Sequence, residues 1–201
     1  MHSNFLVLVR HGQSEWNEQN LFTGWKDPDL TQKGITEAVN AGKQINRYGL
    51  IFSRMFTSAL TRAQHTGKII LKEINQEDIP VHQDQNLNER AYGSLTGMNK
   101  DEARQKFGAE QVHIWRRSFN VSPPDGESLK DTYDRVVPYF RNNILPQLVK
   151  GEHILVSAHG NSLRALVKLI ENIYEGDIVK LEIATGQPII YKYQNGKYTK
   201  A

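Results

Sequence analysis

Apolar positions along the chain follow two spacings. The unbroken runs "FLVLV" (Phe5 to Val9) and "HILVSA" (from His153) read as strands buried on both faces. "LIFSRMFTS" and, more weakly, "IPVHQDQ" read as further strands, and "QPIIYKY" and "KYTK" as two more around the Asn195-Gly196 turn. Between them the apolar spacing is helical. Thr31 as N-cap precedes Ile35, Ala38, Val39 and Ile45, with Gly49 as C-cap; Ser58 as N-cap precedes Leu60, Ala63, Gly67, Ile70 and Leu71. Leu129, Tyr133, Val136, Val137, Phe140, Ile144 and Leu148 form one face of a long helix from about Glu127, which Pro138 and Pro146 are expected to kink or fray. "NSLRALVKLIENIY" turns Leu163, Leu166, Val167 and Ile170 inward, and "NKDEARQKFG" and "EQVHIWRRSF" give two short helices in an irregular stretch from Leu87 to about Pro124. Strands alternating with amphipathic helices predict an α/β fold, a mostly parallel central sheet covered on both faces. No composition break marks a linker, so one domain over residues 1–201 is expected.

Composition narrows the function classes. The 201 residues are 38% hydrophobic and 23% charged, enough for a real core. No apolar run approaches the ~18 residues of a membrane span, and "MHSNFLVLV" has neither a basic leader nor a small-residue cleavage site, which predicts a cytoplasmic protein with no membrane partner. The absence of cysteine removes disulfides, thiolate metal sites and cysteine nucleophiles. The net charge of +3 is mild, and the lysines are scattered rather than gathered in a stripe, which points to a small polyanion and away from nucleic acid.

Two strands end alike, at Arg10-His11-Gly12 and at His159-Gly160. In an open α/β sheet, ligands bind beyond the carboxyl ends of the strands, where helix N-termini present bare N–H groups suited to an anion. Two imidazoles with Arg10 and Arg62 in that crevice make a phosphate site. A neutral imidazole can attack phosphorus to form a phosphohistidine, and arginines neutralise the transferring group. The other histidines, His2, His65, His82, His113 and His153, read as surface or packing residues. A metal site on His11, His159 and a carboxylate stays the minor alternative, since no His-x-x-x-His or clustered Asp motif accompanies it. Neither nucleotide-binding glycine motif is present, and Ser14 and Ser162 lack the G-x-S-x-G elbow of a serine nucleophile.

"VRHGQSEWN", "SALTRAQHT" and "SAHGNSLRAL" resemble the motifs of the histidine phosphatase superfamily, and "FTGWKDPDLTQKG", "LNERAYGSLTGMNK", "WRRSFNVSPP" and "TGQPIIYKY" resemble its cofactor-dependent phosphoglycerate mutase family. The blocks run in order from Leu6 to about Tyr193. The resemblance implies a three-layer α/β/α sandwich of the phosphoglycerate mutase type. It also implies interconversion of 3-phosphoglycerate and 2-phosphoglycerate through a phosphohistidine primed by 2,3-bisphosphoglycerate, without a metal. By position it makes His11 the nucleophile and Glu89 the general acid and base, the latter expected to have a pKa raised by burial. Arg10, Asn17, Arg62, His159 and backbone at Gly160 and Asn161 would bind the transferring phosphoryl group. Thr23, Gly24, Arg90, Tyr92, Lys100, Arg116 and Arg117 would hold the rest of the substrate. A dimer or tetramer is implied as well. "VSPPDGESL" passes directly from Pro124 to the helix, where longer members carry an extra segment, and the chain ends soon after the last strand, without their site-covering tail. Phosphomonoester hydrolysis is therefore the alternative activity, and a non-enzymatic polyanion-binding module the third class.

Overall fold

The computed structural model describes residues 4–201; His2 lies outside them. Its sheet has six strands, β1 (Asn4–Arg10), β2 (Arg54–Thr57), β3 (Val81–Gln83), β4 (Ile154–Ala158), β5 (Pro188–Gln194) and β6 (Lys197–Lys200), in the order β3-β2-β4-β1-β5-β6. The first four of that order run parallel; β5 is antiparallel to β1, and β6 to β5. Alternation along β1 sorts the core into two halves. Leu6 and Leu8 join Ile154, Val156 and Ala158 on one face, whereas Val7 and Val9 join Met55 and Leu155 on the other.

Helices α1 (Glu15–Glu18), α2 (Gln32–Asn46) and α3 (Thr61–Glu73) follow the first strands. Ala41, Ile45, Ile70 and Leu71 from α2 and α3 close the Val7 face. Helices α4 (Lys100–Phe107), α5 (Ala109–Arg117), α6 (Leu129–Tyr139), α7 (Leu145–Val149), α8 (Gly160–Glu171) and α9 (Glu175–Ile178) complete the chain. Val136 and Leu148 from α6 and α7, with Leu163 and Leu166 from α8, close the Leu6 face. The result is the three-layer sandwich.

Local differences from the sequence reading have identifiable causes. The second strand is only four residues, because Phe52 pairs its N–H with the Gln76 side chain and not with a neighbouring strand. Helix α2 ends at Asn46, three residues before Gly49, which turns the chain at φ +61°. Between its two prolines the long helix is locally distorted but does not fray. A wide turn at Phe140–Ile144 lies between them, with Leu145 N–H donating to Phe140 five residues back, and the helical path continues to Val149. Ser58 does not cap α3, whose first turn follows Leu60. It has another partner, described next.

Candidate active site

Register explains why two distant histidines meet. Strands β1 and β4 are parallel neighbours, and Arg10 pairs with Ala158, so His11 and His159 leave the sheet side by side. Their ring centroids lie 5.0 Å apart with planes at 60°. His11 N–H still donates to the Ala158 carbonyl, at 3.0 Å. Thr57 pairs with Ser157 on the next strand, which brings Ser58 Oγ within 2.7 Å of His159 Nε2. Gly12 is needed for a steric reason: a Cβ there would stand 2.2 Å from the Gly34 carbonyl oxygen, where the start of α2 presses on the loop.

His11 is 2% exposed, and its Nδ1 sits 2.7 Å from the Gly12 carbonyl oxygen. A carbonyl can only accept, so Nδ1 carries the hydrogen and Nε2 keeps its lone pair. Burial, then Arg62 and Arg10, hold this ring's pKa well below the usual histidine value. The imidazole is therefore neutral, as a nucleophile must be. His159 is fully buried and likewise held neutral, by burial first and then by Arg62, His11 and Arg10. Its Nδ1 has no hydrogen-bond partner among the described residues.

The arginines are fixed before any ligand arrives. Arg62 is 1% exposed, donates to the carbonyls of Lys26 (2.8 Å) and Gly24 (2.9 Å), and aims Nε at His11 Nε2, at 3.4 Å. Burial lowers its pKa to about 10, so it stays charged at neutral pH. Arg10 donates from Nη1 to the Ile183 carbonyl at 2.8 Å, while its buried Nε has no partner among the described residues. Such a buried donor beside a nucleophile suits an anionic acceptor.

Glu89 is the correction to the sequence reading. Burial raises its pKa, as expected, but it is outweighed. Its Oε1 accepts Arg90 N–H (2.7 Å) and Asn161 N–H (3.2 Å) at the start of α8, and with Arg10 and Arg62 nearby the net shift is downward. The carboxylate is therefore ionised at neutral pH.

One cleft of about 180 Å³ is lined by Arg10, His11, Asn17, Thr23, Gly24, Arg62, Glu89, Tyr92, Lys100, Arg116, Arg117, Gly160 and Asn161. Of the residues expected at the site, two are not on its wall. His159 packs against His11, and Arg90, fully buried, turns inward to donate to the Trp115 carbonyl and stack over Tyr92 at 4.9 Å. Four lining residues went unpredicted, the apolar Leu21 and Phe22 and the charged Arg164 and Glu182. Arg164 donates to the Leu181 carbonyl and to Asn161 Oδ1, and Glu182 pairs with both Arg117 and Arg164. "SLRAL" gave a signal for Arg164, three residues after Asn161 and hence on the same helix face; nothing near Glu182 did. His65, read as a surface or packing residue, pairs with Asp29 at 2.9 Å. Among the described residues, no group of three or more His, Asp or Glu side chains is arranged to hold a metal ion, and no helix is long and apolar enough to cross a membrane.

A model of the histidine phosphatase superfamily (branch 1) matches residues 6–201. A protein of Parvibaculum lavamentivorans named 2,3-bisphosphoglycerate-dependent phosphoglycerate mutase is 57% identical over 189 residues, covering 94% of this chain and 90% of the relative. Among solved structures, a phosphoglycerate mutase from Bacillus anthracis matches with TM-score 0.79 at 22% identity, over 100% of this chain and 92% of the other. An alpha-ribazole phosphatase from Shigella flexneri matches with TM-score 0.84, also at 22% identity, over 98% and 94%. These two similarities concern the fold, which mutase and phosphatase share.

Proposed function

The chain belongs to the histidine phosphatase superfamily, branch 1, and from that premise we propose that it is a single-domain cytoplasmic isomerase interconverting 3-phosphoglycerate and 2-phosphoglycerate, dependent on 2,3-bisphosphoglycerate. The observation that carries the reading is the second cationic group in the same cleft: Lys100, Arg116 and Arg117 stand with His11, Arg10 and Arg62. A phosphatase needs one phosphate pocket. A mutase must hold the other end of a molecule carrying roughly four to five negative charges, if each phosphate contributes ~1.5–2. The unpartnered Arg10 Nε and the surplus of cations on the cleft wall fit such a polyanion. Bound there, 2,3-bisphosphoglycerate supplies the phosphoryl group that primes His11.

The chain's own residues divide the work. Gly12 fixes the His11 tautomer, so that Nε2 makes the bond to phosphorus. Arg10 and Arg62, with Asn17 and the backbone at Gly160 and Asn161, take the phosphoryl oxygens as charge shifts onto them, and His159, behind His11, can reach the group only through its unpartnered Nδ1. In transfer to a monophosphoglycerate, the Nε2–P bond breaks as the substrate hydroxyl oxygen bonds phosphorus, and the hydroxyl proton passes to Glu89. The reverse step returns it. Thr23, Gly24, Tyr92, Lys100, Arg116 and Arg117 hold the distal end. Arg90 acts indirectly, through Tyr92.

The deciding assay is isomerisation with and without 2,3-bisphosphoglycerate, with chelator present. Turnover that ignores the bisphosphate and needs a divalent metal would end this reading. Hydrolysis of several unrelated phosphate esters faster than isomerisation would replace it with the phosphatase.

Lys100 adds a pH dependence. Burial, then Arg116 and Arg10, lower its pKa to about 8. Its ammonium is charged below that pH and neutral above, and an anion binds only the charged form well. Affinity for 3-phosphoglycerate is expected to fall above pH 8, by up to about tenfold per pH unit. Lys100→Arg, which stays charged, should flatten the decline. Calorimetric titrations between pH 7 and 9.5 read both; equal slopes in the two proteins would rule Lys100 out.

A further inference from the structure

We infer that the ion pair between Glu127 and Arg135 positions Glu89, an inference that rests on the proton-transfer role proposed for that carboxylate. Glu89 sits in an irregular segment after a single turn at Gln85–Leu87, with no sheet ladder or long helix to fix it. One guanidinium does so instead. Arg135 donates to Glu127 Oε1 from Nε (2.8 Å) and to Glu127 Oε2 from Nη2 (2.9 Å). Its remaining N–H groups go to the carbonyls of Asn86 (2.8 Å), Asn88 (3.1 Å) and Glu89 itself (2.9 Å). That accounts for all five donors of the fork.

Glu127 grips the chain on the other side of Glu89. Its Oε2 accepts Ala91 N–H at 2.8 Å, and its own N–H donates to the Ala91 carbonyl at 2.8 Å. Trp25 links the same unit to the phosphate pocket. Its indole N–H donates to the Glu89 carbonyl at 2.7 Å, its ring faces Arg135 at 5.5 Å, and its neighbours Gly24 and Lys26 supply the carbonyls that hold Arg62. Neither Glu127 nor Arg135 lines the cleft. They act through Glu89, as positioning residues.

Arg135→Lys tests this, because a lysine keeps the charge but cannot reproduce a planar five-donor fork. With the Arg90 and Asn161 N–H groups no longer aligned on Oε1, burial gains over hydrogen bonding at Glu89. The expected result is a kcat lower by roughly 10–100-fold, the scale of an ångström-sized misplacement, with KM within about threefold by the same argument, since the anion-binding residues are untouched. The acidic limb of the kcat profile should move to higher pH than in the unaltered protein. Glu127→Gln, which keeps the shape of the clamp, should show the same pattern more weakly, and it carries the test if the lysine variant does not fold. A folded variant with kcat and acidic limb unchanged overturns the inference. So does a kcat loss that tracks the unfolded fraction without a shift in the limb. Mass spectrometry of the unaltered protein after exposure to 2,3-bisphosphoglycerate separates the failures. Phosphate on His11 with a silent Arg135→Lys sinks only the positioning role, whereas no phosphate sinks the proposed function beneath it.

Discussion

His11→Asn is expected to leave a folded protein that cannot carry phosphate. The Asn amide can still donate to the Gly12 carbonyl that His11 Nδ1 now meets at 2.7 Å, and a smaller neutral side chain imposes no charge on a site that already excludes one. What disappears is Nε2, the lone pair that the neutral ring presents to Arg62 Nε at 3.4 Å. Without it the two half-reactions lose their shared intermediate, and positioning alone remains. Deletion of a covalent nucleophile costs on the order of 10⁴–10⁶ in rate, so isomerisation should drop to the assay background. Intact-mass and peptide analysis after incubation with 2,3-bisphosphoglycerate should find an acid-labile, base-stable phosphate on His11 of the unaltered protein and none in the variant. Phosphate retained at another residue, or turnover within tenfold of normal, would remove His11 from the centre of the chemistry. Binding of 3-phosphoglycerate should survive, because Arg10, Arg62 and Arg117 are anchored on carbonyls independent of the ring.

The parts of the site written in local pattern were legible, and the parts made by distant partners were not. His11 and His159 could be found because each ends an apolar run, and a run that ends at a strand's carboxyl edge delivers its next residue to the crevice. The unbroken Phe5–Val9 run and the helical faces gave a sheet covered on both faces for the same reason. Ser58 was misread because its sequence context fits a cap, while the partner that takes its hydroxyl, His159, lies 101 residues away. Arg90 looked like a cleft residue by position, yet the Trp115 carbonyl and the Tyr92 ring draw it inward. Glu182, 68% exposed in its side chain, has no motif at all; it lines the cleft and pairs there with Arg117 and Arg164. Pro138 and Pro146 pointed to a kink or fraying, but no periodicity argument places the distortion as a wide turn between them that carries the helical path on to Val149. The pKa of Glu89 shows the same limit in electrostatic form. The catalytic role required burial, but nothing in the sequence showed it, nor the two N–H donors and two guanidinium groups that reverse its effect.

Glu89→Gln should separate catalysis from binding in opposite directions. Gln Oε1 can accept the Arg90 and Asn161 N–H groups as the carboxylate oxygen does now, at 2.7 and 3.2 Å, so the segment should hold its shape. The side chain can no longer take or return a proton, which costs about 10²–10⁴ in kcat for a general acid–base group. It also removes a negative charge from a cleft built for anions, so 3-phosphoglycerate should bind more tightly as kcat collapses. The downward pKa shift of Glu89 is compatible with this role. Arg10 and Arg62 are among the groups that stabilise the carboxylate there, and a bound polyanion neutralises both. The contribution of burial, which favours the protonated form, then weighs more, and the carboxyl becomes able to hold the substrate's proton while the phosphoryl group moves. Calorimetry and steady-state rates on one preparation decide the matter. Tighter binding with a kcat fallen at least a hundredfold, as that range requires, supports the assignment. A kcat within tenfold of normal gives the proton to some other group and leaves Glu89 as a wall of the cleft.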